Sequence, residues 1–465
     1  MTRSLKEKFI GDRAFYRAVC VLLFPLVIQN VITNFVGLID NIMVGRIGTE
    51  PMSGVAIVNR FVFVYNLAVF GIQSGAGIFT AQFNGKGDNK GIADTFRIRM
   101  AVTFITFAVG LLVFLFKGEA LIDLFLHQST EDIDLAATMM YGKQYLAVAL
   151  WGMLPFGILS AYAGTLRETG NSKVPMVTGL IAVFTNVILN YVLIYGKLGL
   201  PAMGVRGAAL ATVISRLVDM AILIVWTHGN PEKNPFVKDL FGKGPVKPEL
   251  IWKILKTSLP LFLNEFMWSL GITITNQSMS LRGIDVVSAI NISNVIVQVF
   301  MCCTFAMGTT ISIIVGQDLG SGDLDKAVDD DNKLLALELG IAILTAIGMI
   351  LVSSVIPMVY NTTAGVKALA TKFIIISAIM TPFNAMMHGT YFTLRSGGKA
   401  LITMLFDSGF VWSVSVPLSL ILSRLTDMTI LPMYTILYGA DIIKMIIGLR
   451  LVHKKSWVNN LVKNI

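Results

Sequence analysis

Runs of about 20 to 28 mostly apolar residues recur along the chain, separated by short polar turns. They predict twelve helical spans at 17–44, 53–81, 98–116, 135–162, 174–196, 204–227, 254–280, 286–316, 333–358, 366–392, 400–423 and 427–450. About 20 residues at a helical rise of 1.5 Å cross roughly 30 Å of hydrocarbon. A helix also satisfies its backbone N–H and C=O groups within the segment, as lipid demands. A membrane barrel would instead alternate apolar and polar residues over about ten positions.

The two halves repeat. At an ungapped offset of 235 residues, Pro25 matches Pro260, Ser53 matches Ser288, Asn59 matches Asn294 and Gln82 matches Gln317. The series continues with Gly85 and Gly320, Gly87 and Gly322, Asp88 and Asp323, so that AQFNGKGD answers GQDLGSGD. Later the offset is 228, where TLRETG answers TLRSGG. The longest polar connection, HGNPEKNPFVKDLFGKGPVKPEL, divides the spans six and six. The expected architecture is therefore an all-α integral membrane protein with twelve transmembrane helices in two six-helix lobes related by pseudo-twofold symmetry. Residues 1–227 form the expected N-lobe, 228–250 a cytoplasmic linker, 251–452 the C-lobe and 453–465 a cytoplasmic tail. Two such bundles favour rocking about a central site, which points to a transporter.

Composition agrees with this class. Of the 465 residues 55% are hydrophobic and 14% charged, with a mean hydropathy of +0.73, against roughly a quarter charged in soluble domains. The opening MTRSLKEKFIGDRAFYR reads as a basic cytosolic segment rather than a cleavable signal. Cys20, Cys302 and Cys303 fall inside spans and read as small buried hydrophobes. A net charge of +9 raises nucleic acid as a partner, but the basic residues sit in short loops. They include Arg3, Lys6, Lys8, Arg13 and Arg17, then Lys86, Lys90, Arg97 and Arg99, then Lys233, Lys238, Lys243, Lys247, Lys253 and Lys256. The positive-inside rule explains them and places both termini in the cytoplasm, and no nucleic-acid partner is expected.

Charged residues inside spans cost roughly 3 kcal/mol each on insertion scales, so each is a functional candidate that needs a partner. The strongest are Asp40, Glu265 and Asp407, with Arg216 and Asp219, Glu338, and Asp441 and Lys444. Asp40 shares a helix face with Asn34, Gly37, Asn41 and Val44. A desolvated carboxylate there can take up a proton, or join amide oxygens in replacing the water around Na⁺. The bland alternative is solvation or a pair with Arg46. Asn186 and Asn190 lie four apart on span 5 and offer amide oxygens, or simply bond neighbouring helices. Glu265 and Trp268 could receive an organic cation through charge and a cation–π contact, or Glu265 could face the headgroups. Asp407 could line the second cavity or form a plain ion pair. Arg216 with Asp219, and Asp441 with Lys444, have the spacing of self-neutralising pairs. Thioethers such as Met386 and Met387 suit varied ligands, although in bundles they more often fill gaps.

No enzymatic signature is present: His127, His228, His388 and His453 have no metal-ligand spacing, and there is no Walker A lysine motif. No cofactor is expected, and uphill transport would draw on an ion gradient.

At this point the chain resembles the multidrug and toxic compound extrusion family over essentially its whole length. The likeness is carried by PLVIQNVITNFVGLIDNIMVGRIGTEPMSGVAI, by TLRETGNSKVP and by NVILNYVLIYGKLGLPAMGVRGAALATVISR. The resemblance implies a Na⁺- or H⁺-coupled antiporter with a central cavity, exporting cationic or amphipathic drugs and toxins from the cell membrane. It carries the first-lobe cation or proton site onto Asp40 and Asn186, with Asn190 where some members have aspartate. Glu265 is similar to the span 7 acid of the NorM-type branch, whose span 10 acid has no counterpart in FIIISAIMTPFNAMMHGTYF. The expected substrate cavity comprises Asn34, Glu265, Trp268 and Asp407, with no metal site apart from Na⁺ at Asp40. The expected partners are small organic cations or amphipathic drugs and membrane lipid, and the expected state is a monomer. A lipid-linked saccharide flippase of a related family is the alternative; twelve spans and scarce intramembrane arginines count against it. A membrane-embedded enzyme would need clustered catalytic residues.

Overall fold

The computed structural model describes residues 8–126, 134–240, 242 and 244–465. Arg3, Lys6, His127 and Lys243 lie outside the described residues. The first half holds α1 (Arg13–Gly45), α2 (Thr49–Lys86), α3 (Asn89–Leu126), α4 (Leu135–Glu168), α5 (Lys173–Tyr195) and α6 (Gly204–Gly229). The second half holds α7 (Pro248–Ser280), α8 (Ile284–Ser321), α9 (Leu324–Val352), α10 (Ala364–Ser396), α11 (Ala400–Arg424) and α12 (Ile430–His453). A short helix, Phe236–Leu240, lies in the connection. Among the described residues eleven of the long helices are long and apolar enough to cross a membrane. The twelfth, α7, has the length at 33 residues, but Asn264, Glu265 and its run of hydroxyls and amides dilute its apolar character.

The repeat is written into the helix boundaries. Helices α1, α2 and α3 begin at 13, 49 and 89, and α7, α8 and α9 begin 235 residues later in each case. Helices α2 and α8 have the same length, 38 residues. The turn after each is built alike. Gly87 and Gly322 take the left-handed conformation at φ 74° and 88°, which glycine adopts without a Cβ penalty. Asp88 and Asp323 then cap the next helix, accepting from the N–H of Gly91 at 2.9 Å and of Lys326 at 3.0 Å.

The chain divides into two compact units. One comprises Ile28–Thr80 and Asp88–Trp252; its core gathers Val58, Tyr65, Val69, Ile122, Met153 and Val205, with a second cluster around Ala161, Leu166 and Leu223. The other comprises Met1–Val27, Ala81–Gly87 and Lys253–Ile465. Its core gathers Val19, Met307, Ile311, Val315, Leu334 and Leu394, with a second cluster around Ala289, Phe373 and Met433.

Within this second unit the repeated loop residues meet. Gly85 lies against the carbonyl of Gln317, and Gly320 against the carbonyl of Gln82, each so close that a Cβ would collide with backbone. Gln82 is fully buried. Its amide donates to the carbonyls of Ser396 at 3.1 Å and Asn459 at 3.2 Å, and its oxygen accepts from Leu461 N–H at 2.7 Å. Lys86 Nζ donates to the carbonyl of Val462 at 2.8 Å. Trp457 and Val462 are buried in turn, so the segment after α12 is folded onto the ends of α2, α8 and α10.

Candidate functional site

Asp40 comes from the last turns of α1, in the unit that holds the first half's core. Its partner is not Arg46 but Asn190, whose Nδ2 stands 2.5 Å from Asp40 Oδ1. The second N–H of the same amide reaches Asn186 Oδ1 at 3.1 Å. Asn186 Nδ2 in turn lies 3.4 Å from Thr212 Oγ1, which donates to the carbonyl of Ala208 at 3.1 Å. Helical spacing explains the relay: Asn186 and Asn190 are one turn apart, so both amides project from one side of α5. They are 5% and 1% exposed. Asn190 Oδ1 is buried with no hydrogen-bond partner. Carboxylate and amide oxygens thus converge with an acceptor to spare, a chemistry suited to a hard cation or a proton. Asn34, on the same helix, is exposed.

The acids of the second half are built differently. Lys444 Nζ on α12 stands 2.6 Å from Asp407 Oδ1, so Lys444 pairs across helices with Asp407 instead of with Asp441 on its own helix. Asn264 Nδ2 donates to Asp407 Oδ2 at 2.8 Å, while Asn264 Oδ1 accepts from the N–H and the hydroxyl of Ser408. Two π-helical turns, Leu405–Gly409 and Val411–Ser415, set this part of α11; such turns are rare and cluster at functional sites. Tyr391 OH donates to Glu265 Oε1 at 3.3 Å and lies 3.3 Å from Asn264 Nδ2, joining Glu265 to the same network. Trp268 is one turn further along α7 and 37% exposed.

The other local pair also dissolves. Arg216 donates to the carbonyl of Gly152 at 3.2 Å and stacks over Phe156 at 5.0 Å, and does not pair with Asp219. Arg99, expected on the cytoplasmic side at the start of the third span, is buried and reaches Glu168 Oε1 at 2.7 Å and Thr165 Oγ1 at 2.9 Å. Asn264, Tyr391 and Arg99 carried no sequence signal of these roles, although Asn264 stands beside Glu265. Among the described residues no three His, Cys, Asp or Glu gather into a group that could hold a metal ion.

The helical architecture and the sparse polar clusters inside it define a multi-pass membrane protein. The MatE family model matches residues 25–192 and again 260–423, one copy in each half, and the chain belongs to the MatE family. Members of that family are transporters, not enzymes, and need no cofactor in general. The chain is 25% identical to a probable multidrug resistance protein NorM of Thermotoga maritima over 87% of its own length and 84% of that protein's. It is 27% identical to a multidrug resistance protein NorM of Photobacterium profundum over 90% and 89%. An outward-facing multidrug resistance MATE transporter of the MOP superfamily shares its fold, with a TM-score of 0.85, 18% identity and 98% of each chain covered.

Proposed function

We propose that this chain is a cation-coupled antiporter that uses Na⁺ or H⁺ to export cationic or amphipathic drugs and toxins by alternating access of two lobes. The observation that carries this is the Asp40–Asn190–Asn186 relay, with its orphaned Asn190 Oδ1. Half a turn of the Asn190 amide brings Oδ1 toward Asp40. The site then offers a carboxylate and two amide oxygens to Na⁺, or an acceptor to a proton carried on Asp40. The multidrug names of the relatives support the substrate class. In this reading Asn34, Glu265, Trp268 and Asp407 face the substrate, and Asp407 can do so once Lys444 lets go of it. The protein works as a monomer in the cell membrane among its lipids, with both termini, the 228–250 linker and residues 453–465 in the cytoplasm.

The test is efflux from proteoliposomes under separately imposed Na⁺ and proton gradients, with wild type and Asp40→Asn compared. The variant should insert normally and lose ion-dependent export, and the gradient that drives the wild type identifies the coupling ion. Undiminished export by the variant would sink the assignment.

A further inference from the structure

Glu338 on α9 is the most isolated acid among those the sequence places in spans. It is 1% exposed, and neither carboxylate oxygen has a hydrogen-bond partner. Across from it, His388 Nδ1 on α10 stands 3.9 Å from Glu338 Oε1, too far for a hydrogen bond, and is likewise without a partner. Two glycines make the space. A Cβ at Gly389 would collide with Glu338 Oε2, and one at Gly308 on α8 would fall 2.6 Å from His388 Cε1. The ring is held between Phe305, with centroids 5.3 Å apart, and Phe392, at 4.8 Å. His388 keeps 20% of its side-chain surface accessible while the carboxylate behind it is sealed.

A bare carboxylate in such surroundings is strongly disfavoured unless paired, ligated or neutralised. Among the described residues no Lys or Arg makes an ion pair with it. The charged groups that face the pair are Asp331 on α9, Arg395 on α10, Asp407 on α11 and Lys444 on α12. Lys444 is held by Asp407, and Arg395 lies over the Phe392 ring at 5.2 Å. Asp331, seven residues earlier and so about 10 Å along the helix, adds negative charge and accepts from Thr393. Leu335 lies beside Glu338 Oε2 at Gly389 and adds an apolar neighbour. Two oxygens and one ring nitrogen are too few ligands for a hard metal cation, which takes about six oxygens. A single proton satisfies both orphaned groups.

We propose that Glu338 and His388 form a proton-binding pair in the second half of the chain, distinct from Asp40. The proton rides on Glu338 Oε1 and is donated to Nδ1 when the gap closes to hydrogen-bond length. On release it moves to Nδ1, leaving a carboxylate and an imidazolium. The imidazolium then sheds its Nε2 proton to water through the accessible face of the ring. The neutral ring keeps its Nδ1–H and donates it to the carboxylate, so one proton leaves per event and the single negative charge that remains on Glu338 is held by that hydrogen bond.

The test is infrared difference spectroscopy of the full-length protein in lipid vesicles across pH. Wild type should show a carboxylic-acid C=O band that disappears as pH rises. Glu338→Gln should remove it, Asp40→Asn should leave it, and His388→Gln should move its midpoint by about one pH unit, a tenfold change in proton affinity. If Glu338→Gln fails to insert, Glu338→Asp, which retracts the carboxyl from Nδ1, should move the midpoint likewise. A band unchanged by the Glu338 substitution, a midpoint indifferent to His388, or a response to Na⁺ at fixed pH in place of the proton response would overturn the proposal.

Discussion

Asn190 holds Asp40 and Asn186 with the two hydrogens of one amide, at 2.5 and 3.1 Å. The acid of α1 is therefore oriented by α5, and neither group can be altered without exposing the other. Asn190→Leu keeps the volume but strands the carboxylate. We expect it to cost about 1 to 3 kcal/mol, the usual penalty for an orphaned buried polar group. It should also lower ion-dependent efflux at least as far as Asp40→Asn does. Thermal unfolding in detergent and proteoliposome efflux measure the two effects; full coupling in Asn190→Leu would refute the link.

Lys444 and Asp407 are both largely buried, at 4% and 16% side-chain exposure. Removing one partner leaves an uncompensated charge, so Lys444→Met should destabilise by about 3 to 5 kcal/mol, whereas replacing both partners is often close to neutral. Lys444→Met with Asp407→Leu should therefore recover most of the stability lost in the single variant. A double-mutant cycle by thermal unfolding checks this, and additive losses would argue against the pair.

Glycines 320 and 340 predict opposite signs. Gly320 sits against the carbonyl of Gln82, so Gly320→Ala forces backbone apart and should cost at least 1 to 3 kcal/mol, the usual range for overpacking. Gly340, inside α9, has open space around it. Gly340→Ala should stabilise by roughly 0.5 to 1 kcal/mol through restricted backbone freedom. Unfolding midpoints of the two variants against wild type decide the matter.

Gln82 predicts a non-additive effect. Gln82→Ala loses three hydrogen bonds at a buried position, and deleting 457–465 loses two of the same bonds. Each change should lower the unfolding temperature, and together they should cost clearly less than their sum. Strict additivity would mean that Gln82 does not hold the segment.

Much of this was readable in the sequence because lipid is a stringent solvent. Apolar runs fix the helices, and the GKGD and GSGD turns fix where α2 and α8 stop. The predicted third span, 98–116, is shorter than α3, because Arg97 at one end and Lys117 and Glu119 at the other look like loop residues although the helix continues through them; Arg97 reaches the 236–240 segment and Arg99 reaches Glu168. Asp40 was legible as an acid in an apolar run, and Asn190 as half of a spaced pair. Their contact bridges 150 residues and leaves no local trace. Lys444 shows the limit most clearly. Spacing of three suggested Asp441, but the partner lies 37 residues away on another helix. Periodicity reports which face a residue occupies, not which helix that face meets.

The Gln82 contacts also set an order of assembly. Its partners are made 314 to 379 residues after it. During synthesis from the N-terminus, α2, with Gln82 at the end of the predicted 53–81 span, is therefore complete before any of these protein partners has been made. The segment that follows α12 thereby completes the bonding of a helix from the first half. Full resistance to proteolysis or extraction should thus arise as a late, single step once residues 459–462 have emerged, rather than accumulate helix by helix.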